Sequence, residues 1–190
     1  LLQLYKLSKK IFIITGESSG DKLASLVIKK LKEKNPEIEF LAIGGDCIKL
    51  QGISCVFDIK DITFMGFFDV LRNIFLIKRK IDLTVKKILK FNPDIIFSID
   101  APDFSFRILK KIKKFNNKIK TVHLVAPQVW AWRENRKKII NKFLDHLLLL
   151  FPFETKYFYG FVKNTFVGHP FFDSSLFDIN KLVDNSKKYL

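Results

Sequence analysis

Ile95-Ile96-Phe97-Ser98-Ile99-Asp100-Ala101-Pro102-Asp103-Phe104 is the stretch that decides the fold, because an apolar run stops abruptly on a carboxylate. A half-buried strand would alternate polar and apolar residues, so Ile95 to Ile99 reads as a strand covered on both faces in a parallel sheet. Ligands of open α/β sheets bind beyond the carboxyl ends of their strands, and Asp100 stands at that edge. Pro102 cannot donate to a ladder and biases Ala101 away from helix, so the chain turns and both Asp100 and Asp103 stay at the rim. Asp103 suits the N-cap of a following helix equally well. Asp100 precedes the turn rather than the helix, which favours a chemical role.

Outward from this strand, strand and helix patterns alternate from end to end, the signature of a doubly wound α/β domain with a parallel sheet. Upstream, Ile11 to Thr15 reads as the first strand, followed by a helix carrying Leu23, Ala24, Val27, Ile28 and Leu31 at helical spacing. A second strand is expected at Phe40 to Ile43, closed by Gly44-Gly45, with a shorter apolar piece at Ile53 to Phe57. Phe67, Leu71, Ile74 and Phe75 mark one amphipathic helix, and Asp82 to Leu89 mark another that ends before Asn92-Pro93. Further strands are expected at Lys120 to Val125, Leu147 to Phe151 and Thr165 to Val167.

With 190 residues, 48% of them hydrophobic, the chain is long enough for one domain with its own core. Its 34 Lys+Arg against 19 Asp+Glu give a formal charge of +15, which favours anionic partners: phosphorylated substrates, acidic headgroups or nucleic acid. Nucleic acid is the poorest fit, since the 21 Phe lie mostly inside apolar runs and no aromatic-between-basic stacking platform is visible. Cys47 and Cys55 form no C-x-x-C, and a reducing cytosol is the simplest compartment. The chain starts Leu1-Leu2-Gln3-Leu4, without Met and without a signal peptide, as expected of a partial reading frame. No stretch reaches transmembrane length, so membrane contact is expected to be peripheral.

Three clusters join Asp100 as candidates for chemistry. Gly16-Glu17-Ser18-Ser19-Gly20-Asp21 is a strand-to-helix loop with glycines at both ends, a geometry that aims amides and a helix N-terminus at an anion. It lacks the G-K-[ST] of a Walker loop, and a tight turn with Ser18, Ser19 or Asp21 as N-cap explains it as well. Glu17, at the mouth of the first strand, has no evident capping duty and suits sugar hydroxyls. In His123-Leu124-Val125-Ala126-Pro127-Gln128-Val129-Trp130-Ala131-Trp132-Arg133, Trp faces suit sugar rings or acyl chains and Arg forks suit phosphate. Core packing of the Trp pair is the plainer alternative, and a satisfied core histidine is the favoured reading of His123. Phe166-Val167-Gly168-His169-Pro170 puts His169 at a further strand end, on the Asp100 rim if that strand is parallel.

G-E-S-S-G-D (Gly16 to Asp21), G-G-D (Gly44 to Asp46), F-M-G-F-F-D-V-L (Phe64 to Leu71), I-D-A-P-D-F (Ile99 to Phe104), A-P-Q-V-W-A-W-R (Ala126 to Arg133), F-P-F-E (Phe151 to Glu154) and F-V-G-H-P (Phe166 to Pro170) occur together and in order. As a set they resemble the lipid A disaccharide synthase family of glycosyltransferases, over nearly the whole chain from about Ile11 to Asp173. The chain departs from the family pattern conservatively, with Ser18 where Ala is usual, Asp69 for Glu and Ile48 for Met.

The resemblance implies an inverting transfer of 2,3-diacylglucosamine from UDP-diacylglucosamine to diacylglucosamine 1-phosphate, releasing UDP and forming a β-1,6 bond, without metal or other cofactor. It makes Asp100 the general base that accepts the acceptor hydroxyl's proton. It gives Gly16, Glu17, Ser18, Ser19, Gly20 and Asp103 to sugar binding, and His123, Trp130, Trp132 and Arg133 to the acceptor side of the cleft. The implied fold is GT-B, two Rossmann-like domains, with residues 1–175 as the N-terminal acceptor-side domain and 176–190 as a linker toward a missing C-terminal UDP-sugar domain. Another GT-B UDP-sugar transferase or epimerase, or a non-catalytic basic module that docks on anionic membrane, are the competing readings. Phe67, Phe68, Leu71 and Phe75 beside Lys78 and Arg79 match a helix resting on an anionic membrane surface, and an ordinary core helix with a basic end is its plainer counterpart. The implied location is cytoplasmic, peripheral on the inner membrane.

Overall fold

The computed structural model describes residues 10–62, 74–127 and 137–169. Among them, β1 (Lys10–Thr15), β2 (Glu39–Gly44), β3 (Cys55–Asp58), β4 (Ile95–Ile99), β5 (Lys120–Leu124), β6 (His146–Leu149) and β7 (Asn164–Phe166) form one sheet in the order β3-β2-β1-β4-β5-β6-β7. Every ladder in it is parallel. The helices are α1 (Ser18–Lys34), α2 (Asp46–Lys49), α3 (Ile74–Phe91), α4 (Pro102–Phe115), α5 (Lys137–Ile140) and α6 (Thr155–Phe158). The doubly wound α/β architecture expected from the sequence is therefore present.

Period-2 side-chain alternation splits each strand between two cores. Ile11 and Ile13 of β1, with Phe97 and Ile99 of β4, pack under Leu23, Ala24 and Ile28 of α1. Phe12, Ile14 and Ile96 face the other way, against Ile81, Val85 and Ile88 of α3 and Ile108, Leu109 and Ile112 of α4. Both faces are covered, which is why Ile95–Ile99 carries no alternation: all five residues are buried. From β1 the strand order runs outward through β2 and β3 one way and through β4 to β7 the other. The direction reverses between β1 and β4, the switch point where such sheets open a crevice at their carboxyl edge.

Several local expectations are corrected. The segments read as one helix reaching Ile74 and Phe75 and another from Asp82 to Leu89 meet in a single helix, α3. Ile77, Ile81, Thr84, Val85 and Ile88 make one inward stripe through the basic triplet, so Lys78 and Arg79 are exposed positions on a continuous helix rather than a break. Lys80 turns back to Asp61 at 2.5 Å and lies 4.4 Å over the Phe57 ring. The strand expected at Leu147 to Phe151 starts one residue earlier and ends at Leu149, because Leu150 and Phe151 give their backbone N–H groups to Glu154. β5 stops at Leu124, one residue short of the expected Val125, whose φ of 77° leaves the extended region.

Candidate active site at the switch point

Asp100 follows the last residue of β4 in an unusual backbone. Its φ is 57° and that of Ala101 is 44°, two successive non-glycine residues in the left-handed region. Such residues cost on the order of 1–3 kcal/mol each and persist only where the surroundings over-determine them. Here they do. The Asp100 N–H donates to Leu124 O at 3.1 Å, extending the β4–β5 ladder, and Asp100 Oδ1 accepts from Ala101 N at 2.8 Å. The Ser105 hydroxyl donates to Asp100 O at 3.3 Å, while the Phe104 and Ser105 N–H groups both donate to Ala101 O.

Ala101 occupies the N-cap of α4, with Pro102 at its first position. Asp103 therefore lies inside the first turn, exposed at the rim, and not at the cap, where its carboxylate complements the helix dipole. The capping alternative for Asp103 is thus replaced by a dipole role.

The first loop presses directly on this turn. A Cβ built on Gly16 would stand 2.4 Å from Ala101 Cβ, and one on Gly20 would stand 3.1 Å from Ile99 O and 3.4 Å from Asp100 Cβ. The glycines are thus explained by close approach of the β1–α1 junction to the end of β4 and the turn after it. Ser19 Oγ donates to Asp100 Oδ2 at 3.2 Å across that contact. The N-cap of α1 is Glu17, in place of the expected Ser18, Ser19 or Asp21, and its side chain makes no capping bond. The Glu17 carboxyl is held above the ordinary carboxylate pKa, first by partial desolvation and then by the Asp100 charge. Gly16, Glu17, Ser18, Ser19, Gly20, Asp100 and Asp103 are thereby gathered at one rim from segments about eighty residues apart.

Asp21 has a task that no local pattern announced. It is buried, with Oδ1 accepting from Gly45 N at 2.7 Å and Oδ2 from Cys47 N at 2.9 Å, so it holds the loop after β2 and the start of α2. A Cβ on Gly45 would fall 2.8 Å from Asp21 Oδ2, and one on Gly44 2.5 Å from Ile48 Cδ1, which explains the glycine pair. Glu154 plays a comparable part beyond β6, its Oε2 accepting from Leu150 N at 3.1 Å and Phe151 N at 3.0 Å. Burial pushes its pKa up against those two bonds.

His123 lies below the rim, opposite Ser98 in the β4–β5 register, and is 0% exposed. Its Nδ1 is 2.7 Å from Ser98 Oγ, and its ring meets Phe106 edge-on at 4.8 Å between centroids. Nε2 has no hydrogen-bond partner among the described residues. Ser98 Oγ also lies 3.3 Å from Val122 O, so the hydroxyl sits between the imidazole and a strand carbonyl. Burial lowers the His123 pKa from 6.5 to about 3, weakly opposed by the Val125 backbone. His169 follows parallel β7 and so stands on the Asp100 edge, three strands along the sheet, with its ring 6.1 Å from that of Phe151.

Trp130, Trp132 and Arg133 lie outside the described residues, as do Phe67, Phe68 and Leu71. Of the expected membrane-contact set, Phe75 at 78% exposure, Lys78 and Arg79 are described, on the outer side of α3. Ile74 and Leu76 are exposed beside them. Among the described residues no cluster of three or more His, Cys, Asp or Glu is placed to hold a metal ion, and no helix is long and apolar enough to cross a membrane.

Residues 11–188 match the family model described as lipid-A-disaccharide synthetase. The chain is 40% identical over 166 residues to the lipid-A-disaccharide synthase of Rhodospirillum centenum, covering 86% of this chain and 41% of that protein. It is 40% identical over 160 residues to that of Chlamydia abortus, covering 84% of this chain and 26% of the relative. With the synthase of Rickettsia akari it shares 37% identity over 170 residues, 88% of this chain and 43% of the relative. The chain thus spans less than half the length of these curated relatives. A match along almost all of its own length nonetheless carries every motif of the switch-point rim, and the chain belongs to the lipid-A-disaccharide synthetase family.

Proposed function

We propose that this chain is the acceptor-side, proton-accepting half of a lipid A disaccharide synthase, an inverting glycosyltransferase of GT-B architecture. The acceptor is 2,3-diacylglucosamine 1-phosphate and the donor UDP-2,3-diacylglucosamine, whose nucleotide is held by residues outside these 190. The acceptor's primary hydroxyl attacks the anomeric carbon from the face opposite UDP, its proton passes to Asp100, the new β-1,6 bond forms and UDP departs with the bonding electrons. Glu17, Ser18 and Asp103 line the sugar beside Asp100, whose carboxylate Ser19 holds, with Trp130, Trp132 and Arg133 on the acceptor's lipid and phosphate side.

The observation that carries this reading is the placement of Asp100: a carboxylate in a strained left-handed turn, at the carboxyl edge, where the order of the described strands reverses. The exposed Ile74, Phe75 and Leu76 next to Lys78 and Arg79 support a peripheral seat on anionic lipid at the cytoplasmic face of the inner membrane, where acylated substrates reside.

The test is disaccharide formation from the two acylated substrates, with this chain alone and with a donor domain supplied. Turnover should require the donor domain; the chain alone reaching the rate of a complete synthase would refute the assignment of halves. In the completed enzyme Asp100→Asn should lower turnover by about two to four orders of magnitude with circular dichroism unchanged, and Asp103→Asn should cost far less. Equal losses in both would overturn the division between base and dipole partner.

A further inference from the structure

We propose that Ser19 and Ser105 are positioning residues for Asp100, one setting its carboxylate and the other its main chain. The inference rests on Asp100 being the proton acceptor. The terminal torsion of an Asp side chain is broad and roughly two-fold, so no rotamer well fixes the plane of its carboxylate. Two donors fix it here, Ala101 N–H on Oδ1 at 2.8 Å and the Ser19 hydroxyl on Oδ2 at 3.2 Å. Because Ser19 lies in the first turn of α1, two residues after its N-cap Glu17, its bond also keys the carboxylate to the segment that carries Glu17.

Ser105 acts from beneath. It is 0% exposed, so it is closed to substrate, and its hydroxyl holds Asp100 O at 3.3 Å while its N–H holds Ala101 O. Both carbonyls flank the left-handed peptide. Without the hydroxyl, the turn retains its backbone bonds but loses the tie that opposes relaxation of Asp100 toward ordinary φ. A shift of the base by a fraction of an ångström leaves acceptor binding intact and degrades the near-attack geometry, so the signature of both residues is in kcat.

The full-length enzyme carrying this chain is assayed as Ser19→Ala, Ser19→Thr, Ser105→Ala and Asp100→Asn, and as Ser19→Ala combined with Asp100→Asn, with melting followed for each. Ser19→Ala and Ser105→Ala should each lower kcat about tenfold with the acceptor KM unchanged, and Ser19→Thr should recover most of the loss. Removing Ser19 in the Asp100→Asn background should cost nothing further, because its effect passes through the missing carboxylate. A Ser19→Ala enzyme with raised KM and unchanged kcat, or a full additional loss in the double variant, would make Ser19 a direct substrate contact and overturn its half. A Ser105→Ala chain that fails to fold, or one with wild-type kcat, would return Ser105 to a purely structural role. Wild-type turnover in Asp100→Asn would instead refute the assignment of the base, whereas full activity of both serine variants beside an inactive Asp100→Asn would refute this inference alone.

Discussion

Replacing His123 by Leu should flatten the acid sensitivity of the fold. In the unfolded chain His123 takes up a proton below its ordinary pKa of 6.5, whereas the folded imidazole stays neutral down to about 3, because burial disfavours the cation. Acid therefore favours the unfolded state through the window between those values, and the stabilisation is fully present only above it. At about 1.4 kcal/mol per pH unit, the whole window corresponds to roughly 5 kcal/mol, and the step from pH 7 to pH 5 to roughly 2 kcal/mol.

Leu fills a comparable volume, removes the unpartnered Nε2, and leaves Ser98 Oγ its bond to Val122 O, so at neutral pH the variant should lie within about 1 kcal/mol of wild type. The assay is urea unfolding by far-ultraviolet circular dichroism near both pH values. Wild type should lose roughly 2 kcal/mol more than the variant on going from neutral to mildly acid solution. His146, whose pKa is also lowered by burial, acts with the same sign but is present in both proteins and cancels in the comparison. Parallel losses in the two proteins would show that His123 is not held neutral, and the account of its burial would fall.

Gly16→Ala should destabilise the chain by about 1–3 kcal/mol in urea titrations, since its Cβ meets Ala101 Cβ at 2.4 Å; an unchanged midpoint would mean the two loops part freely. Asp21→Ala strips the acceptor from two backbone donors and should cost about 2–5 kcal/mol by the same measurement, with loss of less than half that counting against its role as a tie between α1 and the loop after β2. Phe75→Ser should weaken sedimentation with anionic vesicles by about 1.5–3 kcal/mol while leaving the melting temperature in place, because the ring is already exposed; a large fall in melting temperature with binding unchanged would refute the membrane role.

Local chemistry made much of the sheet legible. Ile95–Ile99 and Ile11 to Thr15 are almost wholly apolar runs without alternation, interrupted only by Ser98 and closed by Thr15, and burial on both faces of a parallel sheet is what that pattern fits. Legibility failed where a residue's local preference was overruled by a partner elsewhere. The Lys78-Arg79-Lys80 triplet resembled a helix end, yet straight-chain basic residues continue a helix well, and the stripe from Ile77 to Ile88 carries through it. Pro102 announced a turn after Asp100 but not its hand, since Asp enters the left-handed region only occasionally and Ala has no preference for it. Asp21 looked like a cap for its own helix, and its two donors lie in the loop after β2 and the start of α2.

By itself, then, the sequence determined that this chain builds a parallel α/β sheet and that carboxylates end its central strands, because hydrophobic periodicity and turn chemistry act over a few residues. Only the tertiary structure decided that β1 and β4 are neighbours, that the Gly16 loop lies against Ala101, and that Glu17 and Ser19 meet Asp100. The physical reason is that an apolar strand encodes how deeply it is buried and not which strand lies beside it: pairing is settled by the joint packing of both cores and by the handedness of the crossovers.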